Sequence, residues 1–199
     1  MSTSTNKNSI MLRKMTYLAI LTAIVFVLQY LSLFTRFSTF SLTFVLVPIV
    51  IGVSICGVWA GAWLGFVFAL AVFATGDAAL FLGWDIPATI FLVILKGVAA
   101  GLCAGLVFRL VEKKNRYLAI FLSAITAPIV NTGIFFLGSL IFFHDDIIAY
   151  SIDINLPTDN VAVFVLTVFI GANFFIELGT NILLAPAVRR IIDIAKNKR

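Results

Sequence analysis

The chain has 199 residues, 62% of them hydrophobic and only 12% charged, with a mean hydropathy of +1.13. A soluble domain of this length is near half apolar, so the composition is that of an integral membrane protein, and about six spans of ~20 residues each leave no room for a nucleotide-binding domain. The net charge of +5 gathers at the ends of the apolar runs, so it speaks to orientation in a lipid bilayer and not to nucleic acid.

The N-terminal "MSTSTNKNSIMLRK" is polar and basic. The apolar run behind it is too long for the core of a signal peptide and lacks a clear small-residue cleavage site, so the first span is expected to be retained. Span 1 is predicted over about 15–34 and is followed by a short loop, "TRFSTF", carrying Arg36. Span 2, about 41–56, contains Pro48, and a tight "CGVWAG" turn leads into span 3, about 59–75. The loop "GDAALFLGWDIP" sets Trp84 between Asp77 and Asp85. Span 4 is predicted over about 86–111, and the charged hairpin "EKKNR" joins it to span 5, about 117–143. The longest loop, "HDDIIAYSIDINLPTDN", precedes span 6, about 161–188, and the chain ends in "RRIIDIAKNKR". The expectation is one all-α transmembrane domain, 1–199.

Lys and Arg orient these spans. Lys7, Arg13 and Lys14 lie before span 1, Arg109, Lys113, Lys114 and Arg116 around the 4–5 hairpin, and Arg189, Arg190, Lys196, Lys198 and Arg199 at the C-terminus. With six spans these 12 of the 14 basic residues fall on one side, which is then cytoplasmic and holds both termini. The acidic loops and Arg36 fall outside, and Lys96 alone falls within the bilayer.

Two glycine ladders stand out. Gly57, Gly61 and Gly65 are four apart at the start of span 3, and Gly97, Gly101 and Gly105 are four apart in span 4. Such spacing puts small residues on one helix face, where another backbone can approach closely. For the glycines, packing within the bundle is expected ahead of a docking face for a partner membrane protein. Ala19 and Ala23 in span 1 make a milder pair, for which docking of a partner carries more weight, since a terminal span is easily left open on one side. Cys56 and Cys103 lie in apolar runs and read as packing residues, not as a disulfide or metal pair.

The polar residues inside the apolar runs carry the chemistry. Asn173, Glu177 and Asn181 in "NFFIELGTN" are four apart and form a stripe on span 6, and Asn131 and Thr132 follow Pro128 in span 5. Lys96 is ten residues into span 4, hence ~15 Å deep. It either pairs with Glu177 or binds an anionic or polar group of a substrate, and a lysine lining a cavity can do both. Snorkelling is disfavoured from mid-span. Trp84 reads as an interfacial anchor or as an aromatic lid over a pocket. Trp59 and Trp63 read as interfacial anchors near the inner face. His144-Asp145-Asp146 is a weak metal signal, and no metal or cofactor is expected. There is no HExxH, GxSxG or P-loop, so no enzymatic activity is expected.

Taken together, the short spans, the alanine pair and the charged hairpin after a glycine-rich span 4 resemble the substrate-binding S component of energy-coupling factor (ECF) vitamin transporters. The segments "LTFVLVPIVIGVSICGVWAGAWLGFVFAL" and "KGVAAGLCAGLVFRLVEKKNRYLAIFLSAITAPIVNTGIF" look like that family, and the resemblance covers essentially the whole chain. It implies a multi-pass protein of a prokaryotic plasma membrane that captures a vitamin outside, in a pocket under the outer loops. The family's AxxxA motif matches Ala19 and Ala23 and would dock on the scaffold subunit EcfT, with two ATPase subunits driving a toppling that releases substrate inside. The candidate substrate-binding residues are Lys96, Asn131, Asn173, Glu177, Arg36 and Trp84. A cation at Lys96, with Arg36 near the outer mouth, suits a carboxylate-bearing vitamin such as pantothenate, ahead of riboflavin, folate or a thiamine or pyridoxine precursor. A standalone proton-coupled carrier using Glu177, and a ligand-free scaffold whose polar groups close on one another without a cavity, are the alternatives.

Overall fold

Apolar runs punctuated by Asp, Asn and Gly set the helix boundaries. The computed structural model describes residues 2–37, 40–41 and 44–197. Its helices are α1 (Ser2–Leu31), α2 (Leu46–Cys56), α3 (Val58–Ala74), α4 (Ala79–Trp84), α5 (Ile86–Val111), α6 (Arg116–Phe142), α7 (His144–Asp153), α8 (Val161–Phe164) and α9 (Gly171–Asn197), with a π-helical stretch Val165–Ile170 between the last two. Two-residue strands, Arg36–Phe37 and Phe40–Ser41, pair antiparallel between α1 and α2.

Short polar side chains start the long helices. The Asp85 carboxylate accepts from the Ala88 amide at 2.8 Å, with Pro87 in the first turn of α5. The Asn115 and Asn160 side chains do the same for α6 and α8. Each satisfies an amide that has no partner within its helix. Gly57, at φ 105°, sits in a conformation that side chains rarely adopt and joins α2 to α3 without a linker.

Among the described residues, three helical segments are long and apolar enough to cross a membrane, Asn8–Phe34, Ile86–Val111 and Arg116–Phe142. A fourth arises if Val161–Ile170 and Asn173–Ile192, bent by 51° at Gly171, count as one broken span. The second and third predicted spans form apolar helices of only 11 and 17 residues. Large apolar side chains cover the outside, among them Leu110 and Leu183, each 79% exposed. Such a surface suits lipid and not water.

Two stretches expected as loops are helical. In α7 the acidic Asp145 and Asp146 occupy the first turn, where they favour the positive end of the helix, and Ile147 and Ser151, four apart, are buried. Helix α7 is therefore packed on the bundle through Ile147 and Ser151. Trp84 ends α4, the other unexpected helix.

The glycine ladders meet each other. Gly61 faces Gly101 and Gly65 faces Gly97, so closely that a Cβ on any of the four would overlap the opposing carbonyl oxygen. Gly105 faces the Cα of Val58, while Gly57 takes no part in the seam. The buried Ser123 hydroxyl donates to the Ala104 carbonyl at 2.9 Å and ties α6 to α5. Buried side chains form two clusters. The larger joins α1, α2, α3, α5, α6 and α9. The smaller gathers Leu92, Phe143, Ile147, Phe164 and Phe169 under α7 and α8.

Candidate functional site

Where the two clusters adjoin they leave a cavity of about 160 Å³. Val72, Val93 and Phe68 come to its wall from the larger cluster, and Leu92, Phe143 and Phe169 from the smaller. One part of the lining is polar: Lys96 of α5, Asn131 and Thr132 of α6, and Asn173 and Glu177 of α9. Gln29 of α1 and Asp77, just beyond α3, add a second polar group.

Four of the six predicted substrate-binding residues thus share this one cavity. Lys96 is half-buried, with its ammonium 4.9 Å from the centroid of the Phe135 ring and within electrostatic reach of Glu177. The ring's negative face attracts the charge and partly replaces lost hydration. Asn131 is buried three residues after Pro128, which lacks the amide hydrogen that would bond the preceding turn. The Asn173 amide donates to Glu177 Oε1 at 3.4 Å, and that of Asn181 donates to the Glu177 carbonyl oxygen at 2.8 Å. The polar stripe of α9 is therefore a linked chain, one end of which reaches the cavity.

The other two candidates stand differently. Trp84 is not part of the cavity wall. It packs edge-on against Phe81 at 5.0 Å and against Tyr150 at 5.7 Å, one layer behind the lining. Phe81 itself lines the cavity and makes edge contacts with Phe135, Phe143 and Phe169. These rings form the cavity wall at α4. The side chain of Arg36 lies outside the described residues.

Gln29 was not among the sequence candidates. It is fully buried, and its amide donates to Thr75 Oγ1 at 3.3 Å and to the Asp77 carboxylate. A helical spacing does reveal it in retrospect: Leu21, Val25 and Gln29, four apart, form the buried face of α1. Ala19 and Ala23 lie on the exposed face of the same helix. Beside them the Trp63 indole donates to Thr22 Oγ1 at 3.1 Å and holds α1 to α3.

The cavity can hold a small molecule with an anionic group near Lys96 and apolar parts against the phenylalanines. Its existence differs from the closed polar network that a ligand-free scaffold would require. Residues 13–189 match the family model described as "ECF transporter, substrate-specific component". Searches of the curated proteins and of the solved structures give no significant match.

Proposed function

We propose that this chain, which belongs to the family of ECF transporter substrate-specific components, captures a small anionic vitamin outside the cell and delivers it inward. Membership makes it a membrane-embedded, substrate-binding transporter subunit and not an enzyme, associating with ECF transmembrane and ATPase components. The finer reading is a single domain of six spans, counting α2, α3 and the broken α8–α9 pair, with both termini cytoplasmic, in a prokaryotic plasma membrane. Ala19 and Ala23, exposed on α1, dock on the EcfT-type scaffold. Two ATPase subunits then drive a toppling that opens the cavity to the inside.

The observation that carries the substrate class is Lys96. It is a cation in an apolar bundle, at a cavity that Asn131 and Asn173 also line. A cation in such a place calls for anionic partners, and a substrate carboxylate would join Glu177 in that role. Riboflavin and the thiamine and pyridoxine precursors offer no carboxylate to Lys96. Pantothenate, a short chain ending in a carboxylate, offers one, together with hydroxyl and amide groups for the polar side of the cavity.

Mass spectrometry of small molecules released from the purified, denatured protein tests this directly. A single carboxylate-bearing vitamin in near-stoichiometric amount is expected. A protein that is empty as purified, and still empty after incubation with a vitamin panel, overturns the transport reading.

A further inference from the structure

Three side-chain oxygens at the cavity are buried and have no hydrogen-bond partner among the described residues: Gln29 Oε1, Asn131 Oδ1 and Asn173 Oδ1. An amide is ordinarily ambiguous, since its oxygen and nitrogen can exchange places by a flip. Two of these three cannot flip freely. The nitrogen of Gln29 faces Asp77 Oδ2 and Thr75 Oγ1, and the nitrogen of Asn173 faces Glu177 Oε1. A carboxylate only accepts hydrogen bonds. Turning either amide over would set oxygen against oxygen. Each carboxylate therefore fixes its amide with the nitrogen inward and the carbonyl oxygen left over.

We infer that Gln29 and Asn173 are acceptors for hydrogen-bond donors of the substrate, so that the ligand is an anion carrying donor groups, hydroxyl or amide N–H, at two separate points. Resting on the proposed function, this narrows the vitamin to a hydroxylated or amide-bearing carboxylic acid. The two acceptors stand on different helices, α1 and α9, and a hydroxyl or amide N–H has one hydrogen to donate, so a single such group does not serve both. Lys96 takes the carboxylate. A donor-free anion leaves the amide oxygens desolvated and unpaired, which costs free energy on binding. Asp77 and Glu177 are positioning residues on this account. They hold the amides and do not themselves bind the ligand, which answers how two carboxylates can stand at the site of an anion.

Titration calorimetry on the full chain in lipid nanodiscs tests the inference with three probes. These are pantothenate, its analogue with both hydroxyls replaced by hydrogen and the amide nitrogen methylated, and nicotinate, an anion without donors. Pantothenate is expected to bind most tightly. Gln29→Met should weaken pantothenate about tenfold, the effect of losing one hydrogen bond at a buried group, and leave the analogue's affinity unchanged. The selectivity between the two probes then collapses, which a general loosening of the fold does not produce. Asp77→Asn, whose amide can donate as well as accept and so no longer fixes which way Gln29 points, should narrow the same ratio and serves if Gln29→Met does not fold. Nicotinate binding as tightly as pantothenate overturns the inference, as does a Gln29→Met variant that weakens both pantothenate probes equally or neither. If riboflavin or another panel vitamin binds and pantothenate does not, the inference falls and the transport reading stands. Binding of no vitamin at all removes both.

Discussion

Adding one methyl group at Gly97 should unsettle the bundle and the site together. Gly97 and Gly65 touch through their backbones, and a Cβ at position 97 would overlap the Gly65 carbonyl oxygen. Restoring an ordinary contact requires α3 and α5 to part by about 1 Å. Overpacking of this kind costs about 1–3 kcal/mol, against which the better helix propensity of alanine returns about 0.5–1 kcal/mol. A net loss of about 1–2 kcal/mol is expected for Gly97→Ala. Gly179 in α9 supplies the control, because a Cβ there meets nothing within 4 Å. The same substitution at Gly179 should stabilise by about 0.5–1 kcal/mol. Thermal unfolding in one detergent, followed by tryptophan fluorescence, compares the two. Lys96 precedes Gly97 and moves with it, so ligand affinity should fall in Gly97→Ala and hold in Gly179→Ala. Shifts of equal sign and size in both variants would refute the backbone-contact account.

Lys96→Met keeps a chain of similar length over Phe135 and removes the charge. It should weaken an anionic vitamin about 10- to 100-fold, as loss of a charge-assisted hydrogen bond does, and unchanged affinity in calorimetry removes Lys96 from the site. Ala23→Trp places a large side chain on the exposed face of α1. Ligand binding by the isolated chain should persist while uptake by cells that also express the ECF transmembrane and ATPase subunits is lost, and normal uptake would move the docking face elsewhere. Asp85→Ala deletes the cap of α5 and should cost about 1 kcal/mol, read as a lower melting temperature, and an unchanged melting temperature would show that the cap carries no weight.

Lys96, Asn131, Asn173 and Glu177 were legible because polar groups in a long apolar run are rare and conspicuous. Gln29 was not. It lies near the end of the first span, where a polar residue reads as interfacial, and only the burial of Leu21 and Val25 turns it inward. Asp77 looked like one acid of a water-facing loop, yet it lines the cavity through its bond to Gln29. The aromatic wall was hidden for a different reason. The chain has 20 phenylalanines, and which of them face inward depends on helix rotation, which an all-apolar run leaves unmarked. The glycine ladders, in contrast, state their own partner. Two runs at the same spacing of four, with no side chains, are matched surfaces. Helix α7 was missed because its acidic start outweighed the buried pair Ile147 and Ser151.

The glycine seam also bears on how a solute gets in. Side chains between two helices act as bearings on which they can roll or slide. Between Gly61 and Gly101, and between Gly65 and Gly97, there are none. Helices α3 and α5 therefore travel as one plank, and Lys96 rides on it next to Gly97. The short helices α4 and α7 are held differently, joined to each other and to the bundle through the rings of Phe81, Trp84, Phe143 and Tyr150. Such side-chain contacts can part without dragging one backbone past another, and parting them would leave Lys96 where it is.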